Sequence, residues 1–180
     1  MKTIRTERLI LRPMAAADTD AMLAIFNDPP VMASFGLNSF SRQQMEQWVQ
    51  RNLKHQEEFG YGLFSVILKS GDMLIGDCGL EQMDIEGEKI AELGYDFHSN
   101  YWHRGYATEA AIAVRDFGFK ELNLTKIVSI IRVGNDPSKR VAERVGMTLL
   151  SEFTRFGNIK YWKFGMDNKG ENNEYHQKKS

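Results

Sequence analysis

Between residues 63 and 97 the chain alternates apolar runs with short turn segments, and few folds accept that pattern. Leu63 to Leu68 and Met73 to Glu81 are two strand-like runs joined by Ser70-Gly71-Asp72, a hairpin signal with turn residues at the bend. Asp84 to Glu88 is polar and contains Gly87, which marks a second turn, and Lys89 to Phe97 follows as a third strand. Strands joined by connections this short must run antiparallel, because a parallel pair needs a long crossover. The middle of the chain is therefore expected to be a three-strand meander.

After Phe97 the period changes. Ala107 to Glu121 sets Ala107, Ala110, Ala111, Val114 and Phe117 on one helical face. Lys126 to Ile131 is a β-branched run. Asn135-Asp136-Pro137 opens a further helix, since proline is tolerated in a first turn, and Gly146 closes it. Thr148 to Phe153 and Ile159 to Met166 predict a last hairpin around Phe156-Gly157-Asn158. Upstream, Leu9-Ile10-Leu11 reads as a strand, and Asp18 to Phe26 as a helix that Asn27-Asp28-Pro29-Pro30 stops. Ser41 and Gln44 form a capping-box pattern ahead of the stripe Met45, Trp48, Val49 and Leu53. Phe35 and Phe40, in the loop before it, are open to substrate contact. The expected order is strand, helix, helix, three strands, helix, strand, helix and two strands: an α/β chain whose sheet is mixed but mostly antiparallel.

A chain of 180 residues fits one domain, expected over residues 1–166, with a polar, flexible tail over 167–180. With 23 basic and 24 acidic residues the formal net charge is -1, so no global field attracts nucleic acid or an anionic membrane, and neither is expected as a partner. No window approaches the roughly 18 apolar residues of a membrane span. The single cysteine, Cys78, forbids an intramolecular disulfide and sits in the apolar run Leu74 to Leu80, where it reads as a small buried residue. These features suit a cytoplasmic protein. The four histidines are scattered and no metal site is expected.

Two later stretches carry chemistry. Tyr101 to Ala110 follows a strand and opens a helix, with Gly105 removing a side chain where the backbone must approach something. Free N–H groups and partial positive charge at a helix start suit an anion such as a pyrophosphate. Asn135-Asp136-Pro137-Ser138, followed by Val141, Val145 and Gly146-Met147, is the second. Asn135 and Asp136 are also ordinary helix-capping residues.

Taken together, at this separation and after a meander, the two stretches resemble the GNAT acetyltransferases. Trp102-His103-Arg104-Gly105-Tyr106-Ala107-Thr108-Glu109-Ala110 is similar to that family's acetyl-coenzyme A signature. Asn135 to Ser138 with Gly146-Met147 is similar to its later motif, and Thr6-Glu7-Arg8-Leu9-Ile10-Leu11-Arg12-Pro13 to the opening of the ribosomal-protein N-terminal acetyltransferase subgroup. Trp102 and Met147 depart from the general pattern, and Ala142 stands where many members carry a tyrosine that protonates the departing thiolate. In ribosomal-protein-type members a serine matching Ser138 is proposed to stabilise the thiolate instead.

The resemblance implies the GNAT fold, with helices flanking a sheet that opens between the meander's last strand and the next. It implies acetyl-coenzyme A as cosubstrate, with its pyrophosphate on the backbone of His103, Arg104, Gly105, Tyr106, Ala107 and Thr108 and further contacts from Asn135 and Ser138. A backbone N–H among Leu93, Gly94 and Tyr95 would face the acyl oxygen. Glu92 and Glu81 are the candidate bases, with a solvated carboxylate as their ordinary reading, and Ser138 the candidate at the leaving group. The acceptor implied is a protein N-terminal amine, with a polyamine or amino sugar as alternatives. A non-catalytic acyl-coenzyme A sensor is the rival from another class, and monomer and homodimer are both open.

Overall fold

The computed structural model describes residues 1–36, 39–85 and 87–168. In chain order the elements are β1 (Ile4–Arg5), β2 (Leu9–Pro13), α1 (Thr19–Phe26), α2 (Pro29–Phe35), α3 (Arg42–Phe59), β3 (Leu63–Leu68), β4 (Met73–Ile85), β5 (Glu88–Phe97), α4 (Tyr106–Lys120), β6 (Lys126–Arg132), α5 (Asp136–Val145), β7 (Thr148–Arg155) and β8 (Ile159–Asp167). The strands form one sheet in the order β1-β2-β3-β4-β5-β6-β8-β7. Every neighbouring pair is antiparallel except β5 with β6. The meander, the last hairpin and the α/β class stand as expected.

Two elements were not foreseen. β1 is a two-residue strand on the sheet edge. Pro29-Pro30 does stop α1, but it then starts α2 at once, because proline's fixed φ suits the first helical position, and Gly36 closes α2 at φ 70°. The stretch around Phe35 is thus helical rather than loop. Phe35 stacks on Phe26 while staying 39% exposed, and Phe40 meets the same ring edge-on. At the C-terminus β8 reaches Asp167, and Asn168 donates its N–H to the Thr125 carbonyl. The rest of the expected tail, 169–180, lies outside the described residues.

Side chains alternate between the faces of the sheet. Cys78, Leu80, Leu93 and Tyr95 point toward α4 and α5, into a core shared with Phe64, Ala110 and Val114. Gly118 lets α4 lie close: an added Cβ would stand 2.9 Å from Leu80 and Ile127. On the other face α1 and α3 bury Met22, Phe26, Met45 and Val49 against Leu63. Asp77, Gly79, Glu81, Glu92, Gly94 and Asp96 point to that second face. No helix among the described residues is long and apolar enough to cross a membrane.

The parallel pair β5–β6 holds the site. It is in register only at Ala91 with Ile127 and Glu92 with Val128, after which the strands part. Buried backbone groups need partners, and two side chains supply them here. Ser129 Oγ donates to the Leu93 carbonyl at 2.7 Å, and the Ile130 N–H donates to Glu92 Oε1 at 3.0 Å. The split in the sheet is thus stabilised from inside.

Candidate active site

The loop between β5 and α4 is fixed at three points. The Trp102 indole N–H donates to the Phe97 carbonyl at 2.6 Å while its ring packs on the core, which ties the loop to the end of β5. His103 and Gly105 both turn left-handed, at φ 60° and 80°. Glu109, in the first turn of α4, accepts from Thr6 Oγ1 (2.6 Å), the Arg8 N–H (2.8 Å) and Arg8 Nε (2.6 Å). Burial alone would raise the Glu109 carboxyl, but these donors outweigh it and hold the group below its ordinary value. The Arg8 guanidinium also donates to the Arg104 carbonyl and lies 4.5 Å from the centre of the Tyr106 ring. The Thr6-Glu7-Arg8 motif is therefore a clamp on the start of α4.

No side chain caps α4, whereas Ser41 caps α3 and Asn135 caps α5. First-turn N–H groups have no partner inside their own helix, so those of Tyr106, Ala107 and Thr108 stand free for a ligand. Thr108 Oγ1 is buried with no hydrogen-bond partner among the described residues. An anion at this turn would satisfy both, so the residues present fit a pyrophosphate.

A cavity of ≈ 670 Å³ runs from this turn through the split in the sheet. Its walls carry His103, Gly105, Tyr106, Ala107 and Thr108 on one side and Asn135 and Ser138 on the other. Tyr95 and Asp96 line it from successive positions of β5, hence from opposite faces, and Pro30, Val31 and Ser34 of α2 close the far end. Arg132, Arg140 and Arg144 also line it, and none forms an ion pair among the described residues. Of the residues expected from sequence, Arg104, Leu93, Gly94, Glu81 and Glu92 are not on this wall. Arg104 points outward over Tyr101, and Leu93 is buried toward α4. The arginines and α2 were missed, because nothing in local spacing shows which strand and helix ends converge.

Tyr95 spans the split. Its hydroxyl donates to the Ser138 carbonyl at 2.8 Å, and burial raises its ionisation well above the ordinary value. Ala142, one turn after Ser138, is buried. A phenol from β5 thus reaches the helix turn where the sequence itself offers only alanine. The Asn135 side chain accepts the Ser138 N–H at 3.2 Å, so Asn135 caps α5 as its residue type allows. Because the Leu93 carbonyl faces β6, the two-residue period puts the Tyr95 N–H on the same edge, inside the split.

On the opposite face Glu92 is only 7% exposed, which overturns its ordinary reading as a solvated carboxylate. Its Oε1 holds Ile130, and its Oε2 overlooks Gly94, where an added Cβ would meet that oxygen at 3.4 Å and little else. Burial pushes Glu92 up to about 8, helped by the charges of Glu81 and Asp96 and opposed by the Ile130 N–H. Glu81 is half-buried and also raised by burial. Asp96 is pushed up to about 7 by burial and by Glu81.

A family model described as Acetyltransferase (GNAT) domain matches residues 8–148. The uncharacterized protein YkkB of Bacillus subtilis is 37% identical over 144 residues, 79% of this chain and 83% of that protein. The crystal structure of an acetyltransferase from Agrobacterium tumefaciens superimposes with a TM-score of 0.79 at 31% identity, over 92% of this chain and 94% of that one. A structure described as a putative ribosomal-protein-serine acetyltransferase from Vibrio cholerae has a TM-score of 0.78 over 92% of this chain and 97% of that one, at 24% identity, a likeness of fold.

Proposed function

The chain belongs to the GNAT acetyltransferase family, and from that premise we propose that it transfers acetyl from acetyl-coenzyme A to a primary amine by direct attack in a ternary complex. One observation carries this reading: the cavity through the split between β5 and β6 joins an uncapped helix start on one side of the sheet to the Asp96 carboxylate on the other.

Each part of the reaction has a residue in this chain. The free N–H groups of Tyr106, Ala107 and Thr108, with Thr108 Oγ1, would take the pyrophosphate, and Arg140 and Arg144 bring positive charge to the same wall. The Tyr95 N–H faces the split, where it can donate to the acyl oxygen as negative charge develops. The amine attacks only when neutral, and its ordinary pKa lies at about 8 to 10. Glu92, at about 8, is matched to accept that proton, with Oε2 as the accepting atom. The new N–C bond forms as the C–S bond breaks. The leaving thiolate emerges near Ser138, whose hydroxyl is the donor there, while the Tyr95 hydroxyl is committed to the Ser138 carbonyl and holds that turn in place.

The protein N-terminal amine follows from the sequence resemblance to the ribosomal-protein subgroup. The Ser138 hydroxyl on the wall supplies the donor that Ala142 lacks, which favours turnover over a non-catalytic sensor. Release of free coenzyme A thiol with an amine panel, with product mass followed alongside, tests the reading. Amine-dependent thiol release and an acetylated product are expected. Binding of acetyl-coenzyme A with no release for any amine would leave the sensor.

A further inference from the structure

Two protons leave nitrogen when an ammonium group becomes an amide, and Glu92 accounts for one of them. The first must go before attack. The second goes after the N–C bond has formed, when nitrogen is positively charged again. Glu92, Gly94 and Asp96 follow one another on a single face of β5, so no side chain separates the two acids. Asp96 is half-buried and lines the cavity, whereas Glu92 lies behind the wall.

Asp77 of β4 is the cross-strand partner of Asp96. It is 1% exposed and off the cavity wall, and neither of its carboxylate oxygens has a hydrogen-bond partner among the described residues. A buried carboxylate with no donor is costly, and two carboxyls set directly opposite each other resist ionising together. Burial, then Asp96 and Glu81, push the Asp77 carboxyl well above the ordinary range. Asp77 therefore carries the proton of the pair. The single negative charge falls on Asp96, the member that meets the cavity.

The other charged groups around Asp96 leave it free to act as a base. Glu81 on β4 raises it. Arg51 and His55 of α3 act on Glu81. At the start of α2, Asp28 accepts the Ser99 N–H at 2.6 Å and faces His98 at 3.4 Å. His103, Arg132, Arg140 and Arg144 share the cavity wall, and none of them forms an ion pair with Asp96 among the described residues.

Resting on the N-acetyltransfer reading above, we propose that Asp96 is a second catalytic base, which takes the proton that leaves nitrogen after attack, while Glu92 takes the proton that leaves before it. The ammonium N–H breaks and an O–H forms on Glu92 Oε2. The neutral amine then attacks the thioester carbon, and the carbonyl electron pair moves onto oxygen. A second N–H breaks and an O–H forms on the Asp96 carboxylate. The carbonyl re-forms, the C–S pair leaves on sulfur, and both acids pass their protons to water. Acidity sets this order. A free ammonium holds its proton with a pKa of about 8 to 10, so it needs the stronger base. Nitrogen bonded to the oxygen- and sulfur-bearing carbon is far more acidic, and the weaker base suffices. Glu92 at about 8 and Asp96 at about 7 stand in that order.

The test follows kcat/KM against pH for the full chain with saturating acetyl-coenzyme A and n-butylamine, whose own ionisation, like that of lysine at about 10.4, lies above the range. The parent should rise through two limbs, near 7 and near 8. Asp96→Asn should lose the lower limb and keep the upper, with kcat lowered at least about tenfold and the KM for acetyl-coenzyme A unchanged. Asp96→Ser is the second variant, and the one that melts cooperatively is read. With a lysine-free, alanine-initiated peptide, whose amine ionises at about 8, the Asp96→Asn loss should equal that with n-butylamine. The Glu92→Gln loss should be smaller for the peptide. A folded Asp96 variant that keeps the lower limb, or a kcat within twofold of the parent, overturns this proposal and leaves the transferase reading intact. Acetylation of no amine by a chain that binds acetyl-coenzyme A overturns that reading and this proposal with it. Infrared spectra of the free chain at about pH 9 should keep one protonated-carboxyl band that Asp77→Asn removes. Its absence in the parent would return the charge to Asp77 and overturn the assignment to Asp96.

Discussion

Ser138 and Tyr95 converge on one turn of α5, and a substitution at each separates their roles. Ser138 carries a hydroxyl near a helix start, where negative charge is favoured. Tyr95 already donates to the Ser138 carbonyl. Ser138→Ala should lower kcat by roughly ten- to a thousandfold with little change in the KM for acetyl-coenzyme A. Tyr95→Phe should lower it by less than about tenfold; the reverse ranking in steady-state kinetics would give the thiolate to the phenol. At Glu92 the Gln variant keeps an acceptor for the Ile130 N–H, so it tests proton transfer rather than the split. Glu92→Gln should lower kcat by about 10² to 10⁴ and remove the limb of the pH–rate profile near the Glu92 value of about 8. A profile that keeps this limb would take Glu92 out of the chemistry. Residue identity made Ser138, Glu92 and Gly105 visible in the sequence. Asp77, Asp96 and the hydroxyl of Tyr95, a residue expected only as a backbone donor, were not, because their meaning comes from cross-strand register and from a contact across 43 positions of chain.

Among the elements, α4 depends on a segment far from it in sequence. Thr6 and Arg8 reach Glu109, and Arg8 holds the Arg104 carbonyl. Arg8→Ala should loosen the turn that presents the free N–H groups, raising the Kd for acetyl-coenzyme A by several-fold, less than about 1.4 kcal/mol. Calorimetry on the folded variant checks this, and an unchanged Kd would make the clamp purely structural. The helices with caps and stripes, α3 and α5, were legible from local residue patterns, and so was the meander. The helix α2 was hidden because Pro29-Pro30 signals a stop and a start equally well. The split between β5 and β6 was expected only from the resemblance. Locally it rests on Ser129 and Glu92 pairing with backbone, which no hydrophobic period reveals.

For the whole molecule, the buried acids set how stability varies with pH. Glu92 and Asp96 stand at about 8 and about 7 in the fold, against about 4 in an unfolded chain. Folding therefore favours their protonated forms. The stability tied to them is fully present below about pH 4 and is lost as pH rises through 7 and 8. Glu109 and Asp18 are held low and act in the opposite sense, losing their contribution only in acid. The thermal midpoint of the free chain should fall between about pH 6 and about pH 9, and Glu92→Gln should flatten that slope; a midpoint that rises over this range would contradict the burial of these acids. The most direct test of the account concerns the turn that opens α4. Gly105→Glu places a side chain at a left-handed position and a negative charge against the free N–H groups. Titration calorimetry with acetyl-coenzyme A should show affinity at least about tenfold weaker than in the parent, about 1.4 kcal/mol, in a variant that melts cooperatively. Unchanged affinity in such a folded variant would show that the split between β5 and β6 is not where acetyl-coenzyme A binds.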